Sequence, residues 1–121
     1  MTGTQSRGEL GAWGEQVAVD YLQRRGLSVL ERNWRCRYGE LDIIAADAGT
    51  VVFVEVKTRA GDLFGEATAA VTPAKVRRLR RLAGLWLAAQ GRSWAAVRID
   101  VIGIRVGRRR EPEITHLQAV A

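Results

Sequence analysis

Residues 50–57 read Thr-Val-Val-Phe-Val-Glu-Val-Lys, and this run limits the architecture more than any other stretch of the chain. In a strand, successive side chains point to opposite faces. Val52, Val54 and Val56 therefore share one face, and Val51, Phe53, Glu55 and Lys57 share the other. Both sides are apolar until Glu55, which predicts a central strand covered on both faces, hence an α/β protein. An acid and an amine then emerge together where the strand runs out into Thr58 and Arg59. Buried charges are costly unless paired or bound to a metal. Glu55 and Lys57 are either an ion pair at a fraying strand end or one part of a site, and a site needs a second carboxylate.

The length of 121 residues allows one domain with a single core, expected over 9–121 after a flexible start at 1–8. With 47% hydrophobic and 26% charged residues, the composition is that of a globular chain. No apolar run has membrane-spanning length and the first residues are polar, so no membrane partner and a cytoplasmic location are expected. Cys36 is the single cysteine, which excludes an internal disulfide or a cysteine-rich zinc site. A net charge of +6 and a pI near 10.7 point to a polyanionic partner, nucleic acid first. The basic residues are seventeen arginines and two lysines, Lys57 and Lys75. In a chain that uses arginine almost everywhere, a lysine hints at a position where a compact ammonium matters.

Residues 9–25 predict an amphipathic helix whose broad apolar face carries Leu10, Trp13, Val17, Ala18, Tyr21 and Leu22, with Gly26 placed as a left-handed cap. Gly11 and Gly14 flank Glu15 on its buried side and predict a close approach by another element. Glu15 lies at the edge of the apolar arc, as a rim glutamate with an arginine partner or as a site residue. Residues 27–34 form a first strand, followed by Arg35 and Arg37 interleaved with Trp34 and Tyr38. Arginine beside aromatics suits phosphate contact and base stacking, and an exposed basic turn has the same composition.

The second strand spans 39–46. Strict alternation puts Leu41, Ile43 and Ala45 on one face and Glu40, Asp42 and Ile44 on the other. Aspartate is disfavoured within strands, yet Asp42 sits mid-strand. The turn at residues 47–50 suits a hairpin, and pairing about its centre sets Asp42 opposite Glu55 and Glu40 opposite Lys57. That supplies the second carboxylate. Residues 58–71 read as a loop able to wall a cleft. Thr72 and Pro73 open a helix to about residue 90, whose apolar stripe is Val76, Leu79, Leu82, Ala83, Trp86 and Leu87. Arg77, Arg78 and Arg81 point away from that stripe as a candidate phosphate-binding face. Lys75 lies on the apolar side of the first turn, against the helix dipole, which predicts contact with an anion or a carboxylate. A strand at 94–106 carries Asp100, placed to pair with Arg98 or to buttress the site. An edge strand at 114–117 carries His116, the single histidine, read as structural.

Asp42, Glu55 and Lys57 on one sheet face, with Glu15 delivered by a helix, form an oxygen-rich set suited to Mg²⁺ or Mn²⁺. In phosphodiester hydrolysis such an ion polarises the phosphoryl group and acidifies water. Lys57 would orient the water or stabilise developing charge, and Lys75 would hold a neighbouring phosphate oxygen.

The motifs at residues 11–15 (Gly-Ala-Trp-Gly-Glu), 32–42 (Arg-Asn-Trp-Arg-Cys-Arg-Tyr-Gly-Glu-Leu-Asp) and 53–59 (Phe-Val-Glu-Val-Lys-Thr-Arg) resemble the YraN family of bacterial proteins. So do Phe64-Gly65, residues 71–75 and residues 98–101. The resemblance implies a restriction-endonuclease-like core, with a mixed central sheet of about five strands, an N-terminal helix and a helix after the third strand. It implies a likeness to Holliday-junction resolvases of the PD-(D/E)xK nuclease superfamily. By that likeness Asp42, Glu55 and Lys57 match the signature and Glu15 matches the acid of the first helix, with Asp42, Glu55 and Glu15 as metal ligands. Leu41 replaces the proline of the superfamily name, a residue that binds no metal.

The reading that follows is a Mg²⁺- or Mn²⁺-dependent endonuclease on DNA, including branched DNA, working as a monomer or homodimer. Lys75, Arg35, Arg37, Arg59, Arg77, Arg78 and Arg81 are its expected nucleic-acid contacts. The alternative is a non-catalytic nucleic-acid-binding module on a nuclease fold.

Overall fold

The structure is a computed structural model that describes residues 7–60, 71–107 and 111–121. Its elements run α1 (Arg7–Arg24), β1 (Ser28–Cys36), β2 (Gly39–Asp47), β3 (Thr50–Ala60), α2 (Pro73–Ala89), β4 (Ala96–Val106) and β5 (Glu113–Leu117). The five strands form one mixed sheet in the order β1-β2-β3-β4-β5. Neighbouring strands are antiparallel except β3 and β4, which run parallel and are joined through α2. The expected α/β class, five-stranded mixed sheet and helix positions are therefore found. The expected loop wall and the Phe64-Gly65 motif fall largely on residues 61–70, outside the described residues, as do the first six residues and the arginines at 108–110.

β3 is buried on both faces, as its sequence requires. Val52 and Val54 pack with Ala18, Val19 and Leu22 of α1 and with Ile102 and Ile104 of β4. Val51 and Phe53 pack on the other side with Leu79, Leu82, Ala83 and Trp86 of α2. There the Phe53 and Trp86 rings meet edge to face at 5.5 Å. Helix α1 opens at Arg7, two residues before the expected start. It closes in a Schellman turn: Leu27 N–H donates to the Leu22 carbonyl and Gly26 N–H to Gln23, with Gly26 at φ +91°. At α2, the Thr72 hydroxyl accepts the Lys75 N–H at 3.1 Å and Pro73 occupies the first turn, the cap read from the sequence.

The hairpin turns about the expected centre, with Asp47 opposite Thr50 and Ile43 opposite Val54. The β2–β3 ladder extends no further than that second pair, so Asp42–Glu55 and Glu40–Lys57 are not ladder partners. The expected faces of β2 also need correction. Ile43 and Ala45 lie in the α1-side core, but Leu41 lies with Ile44 in the α2-side core. Alternation therefore breaks at Asp42. The physical reason is a change of partner: the Asp42 carboxylate accepts the Val56 N–H at 2.8 Å where strand pairing ends. A backbone donor released from the ladder still needs an acceptor, and the side chain supplies it.

Candidate functional site

Helix α1 sits unusually close to β3 beside this break. A Cβ built on Gly14 would lie 1.9 Å from Thr58 Oγ1 and 2.9 Å from Thr58 Cβ. The close approach expected of the helix glycines is thus found at Gly14. Gly11 is different: a Cβ there would meet nothing within 4 Å, and the residue faces a cleft. The cleft, of about 910 Å³, lies between α1 and the adjoining ends of β2 and β3. Glu15, Glu40, Asp42, Lys57 and Arg59 are among its lining residues.

Asp42 is the most perturbed acid on this wall. Burial pushes its carboxyl up to about 7, the charges of Glu55, Glu40 and Glu15 push the same way, and the Val56 hydrogen bond opposes them. Lys57, half-buried, has no hydrogen-bond or ion-pair partner among the described residues. Glu15 is held in place by two residues of β1. Arg32 donates to its Oε1 from Nε at 3.2 Å and Nη2 at 3.1 Å, and Asn33 Nδ2 donates at 2.9 Å. Asn33 takes a left-handed backbone, φ 53°, within the strand. Glu15 is thus a rim glutamate with an arginine partner, and it lines the candidate cleft as well.

Glu55 acts on Asp42 through its charge, the first of the three acids that raise the Asp42 carboxyl, and its own carboxylate is engaged elsewhere. Its neighbours Val54 and Val56 pack toward α1, so alternation turns Glu55 toward α2. There the Lys75 ammonium lies 2.8 Å from Oε2, and Arg78 Nη2 lies 3.9 Å away. Glu55 is 7% exposed and is not among the residues lining the cleft. Lys75 does meet a carboxylate, as its awkward place on α2 predicts. Among the described residues, no three carboxylate, histidine or cysteine side chains converge closely enough to hold a metal ion as they stand.

The arginines expected to contact nucleic acid fall into two groups. Arg35 and Arg59 line the cleft, with Arg35 Nε bonded to Glu40 at 3.2 Å. Arg37 and Arg81 both lie over the Tyr38 ring, at 4.8 Å and 3.7 Å, joining the β1–β2 turn to the arginine face of α2. Arg77 and Arg78 are exposed on that same helix.

Asp100 pairs with Arg98 and lies outside the cleft lining. It is fully buried and accepts from Arg98 Nε and Nη2, both at 2.9 Å, and from the Ala119 N–H at 2.9 Å. His116 Nε2 lies 2.7 Å from Asp100, and His116 Nδ1 lies 3.0 Å from the Tyr21 hydroxyl. The histidine is structural, as expected: it ties β5 and α1 to β4.

Sequence reasoning did not single out Glu40, Arg32 or Asn33 for the cleft. Pairing about the hairpin centre set Glu40 opposite Lys57, which was the available signal. The bonds from Arg32 and Asn33 to Glu15 join β1 to α1, and no local spacing encodes them.

Residues 14–104 match the family described as "Uncharacterised protein family UPF0102". A "UPF0102 protein" of Mycolicibacterium vanbaalenii is 70% identical over 121 residues, covering 100% of both chains. One from Mycobacterium avium is 72% identical over 119 residues, 97% of this chain and 93% of the relative. One from Mycobacterium tuberculosis is 66% identical over 122 residues, 97% of this chain and 95% of the relative. The chain belongs to the UPF0102 family, which is the YraN-like group.

Proposed function

We propose that this protein is a Mg²⁺- or Mn²⁺-dependent nuclease that hydrolyses phosphodiester bonds in DNA, branched DNA included. The observation that carries the reading is Asp42, a carboxyl raised to about 7 by burial and three neighbouring acids, sharing a cleft with Lys57, which has no partner among the described residues. A fold gains nothing in stability from such a carboxylate, and perturbed acids in clefts are characteristic of working sites. The net charge of +6 and the arginines at the cleft rim would draw a polyanion toward it. The proposed compartment is the cytoplasm. A homodimer is the proposed assembly, because branched DNA offers paired strands for cutting.

The donor set fits a hard divalent ion in its chemistry: oxygen ligands alone, with repulsion among Asp42, Glu55, Glu40 and Glu15 that a cation would relieve. Asp42, Glu55 and Glu15 would hold it, once Glu55 exchanges Lys75 and Glu15 exchanges Arg32 for the ion. When bound, such an ion supplies Lewis-acid activation of water and neutralises charge developing on the phosphate. Lys57 orients the attacking water and stabilises the added negative charge. Arg35 and Arg59 hold flanking phosphates.

The second reading, a nucleic-acid-binding module with an idle site, draws its support from the engaged state of Glu55 and Glu15. Supercoiled DNA and a four-way junction incubated with Mg²⁺ or Mn²⁺ separate the two. Cleavage lost in Asp42→Asn and in Lys57→Ala supports the nuclease. Binding without cleavage, or cleavage surviving both substitutions, supports the module.

A further inference from the structure

Lys75 occupies a place that folding alone does not favour. It lies in the first turn of α2, where the helix dipole opposes a positive charge. Its ammonium is drawn down to a carboxylate that is itself largely removed from water: Lys75 is 21% exposed by side chain and Glu55 9%, with 2.8 Å between Nζ and Oε2. The Thr72 hydroxyl accepts the Lys75 backbone N–H, so the helix cap does not engage the side chain. One helical turn further on, Arg78 is half exposed and 3.9 Å from the same oxygen. On either side of it Arg77 and Arg81 continue a basic, solvent-facing surface.

We propose that Lys75 is a cation placeholder for Glu55, holding the carboxylate until a divalent ion replaces its ammonium and frees it for a nucleic-acid phosphate. The inference rests on the metal-dependent reading given above. A divalent ion arriving at Oε2 repels an ammonium 2.8 Å from that oxygen more strongly than the Arg78 guanidinium at 3.9 Å, so the ammonium is the cation expelled. The released side chain lies on the surface where the α2 arginines can meet a phosphodiester backbone, and the new contact replaces the one it lost. Ion and nucleic acid thereby strengthen each other's binding, reciprocally and through one residue. In the free protein the same contact keeps the Glu55 charge compensated.

Mn²⁺ titration followed by calorimetry and electron paramagnetic resonance tests this without any turnover. Lys75→Ala should bind Mn²⁺ about tenfold more tightly than the parent protein, a gain in the usual range for coupled sites. Lys75→Gln should show the same gain, and it retains a hydrogen-bond donor for Glu55 if the alanine variant folds poorly. Lys75→Arg should show none. The gain should vanish in a Glu55→Gln background. A non-cleavable phosphorothioate DNA duplex should tighten Mn²⁺ binding to the parent by about tenfold and leave Lys75→Ala unmoved. Equal Mn²⁺ affinity in the parent and in both neutral variants overturns the placeholder role while leaving the metal site standing. Absence of Mn²⁺ binding in every variant overturns the metal-dependent reading itself, and the placeholder with it.

Discussion

The Asp42 carboxylate accepts the Val56 backbone N–H at 2.8 Å, so an ionisable side chain fills a position that a backbone carbonyl would occupy in a continuous ladder. The substitution is costly once the group is charged. Its pKa stands at about 7 against an ordinary 3.8, so between those values the folded protein holds a proton that the unfolded chain has released. Stability from this group therefore falls as pH rises through that window, and the penalty is complete above about pH 7.

Asp42→Asn keeps a carbonyl for the Val56 N–H and removes the charge. At pH 8 it should be more stable than the parent by on the order of 2–4 kcal/mol. Below pH 4 the two should agree within about 1 kcal/mol. Urea denaturation across that range measures the difference, and parallel curves would show that Asp42 is not desolvated.

Gly11 and Gly14 of α1 should respond in opposite directions. Gly14→Ala drives a methyl into Thr58 and should cost about 2–4 kcal/mol through displacement of α1. Thr58→Ala should recover part of that loss in the double variant, a non-additivity that a thermodynamic cycle reads directly. Gly11→Ala has open space and should gain about 0.5–1 kcal/mol from helix propensity.

Asp100→Ala leaves Arg98, His116 and the Ala119 N–H without their shared acceptor. The expected loss is about 3–5 kcal/mol, that of removing one partner from a buried pair. Thermal unfolding measures it. DNA affinity, taken well below the melting temperature, should change little, because the network lies outside the cleft.

Arg77→Ala and Arg81→Ala should weaken DNA binding without regard to sequence. Each should reduce the slope of log affinity against log salt by about 1 if it contacts one phosphate. Arg81→Ala also uncovers one side of Tyr38, whose fluorescence should then change on adding single-stranded DNA. An unchanged salt slope in both variants would make the α2 face an ordinary solvated surface.

Much of this arrangement is legible in the chain because it depends on local rules. The Thr72 cap, the Gly26 turn, the double burial of β3 and the centre of the hairpin each follow from a few adjacent residues. The misplaced Lys75 is legible too, since its helix position alone predicts an acidic or anionic contact. What alternation cannot foresee is its own interruption. Leu41 and Ile43 fall on opposite sides because Asp42 leaves the ladder, and that break depends on a hydrogen bond to residue 56. The clasp on Glu15 by Arg32 and Asn33, and the choice of Lys75 as the partner of Glu55, depend likewise on where two helices and β1 come to rest. Those are tertiary outcomes with no periodic trace.

The seating of Gly14 against Thr58 carries a mechanical corollary. A helix that touches its sheet through a missing side chain cannot ratchet forward by a residue, because the next position along would present a methyl or something larger. Glu15, one residue on from that contact, is consequently held at a fixed station relative to the end of β3.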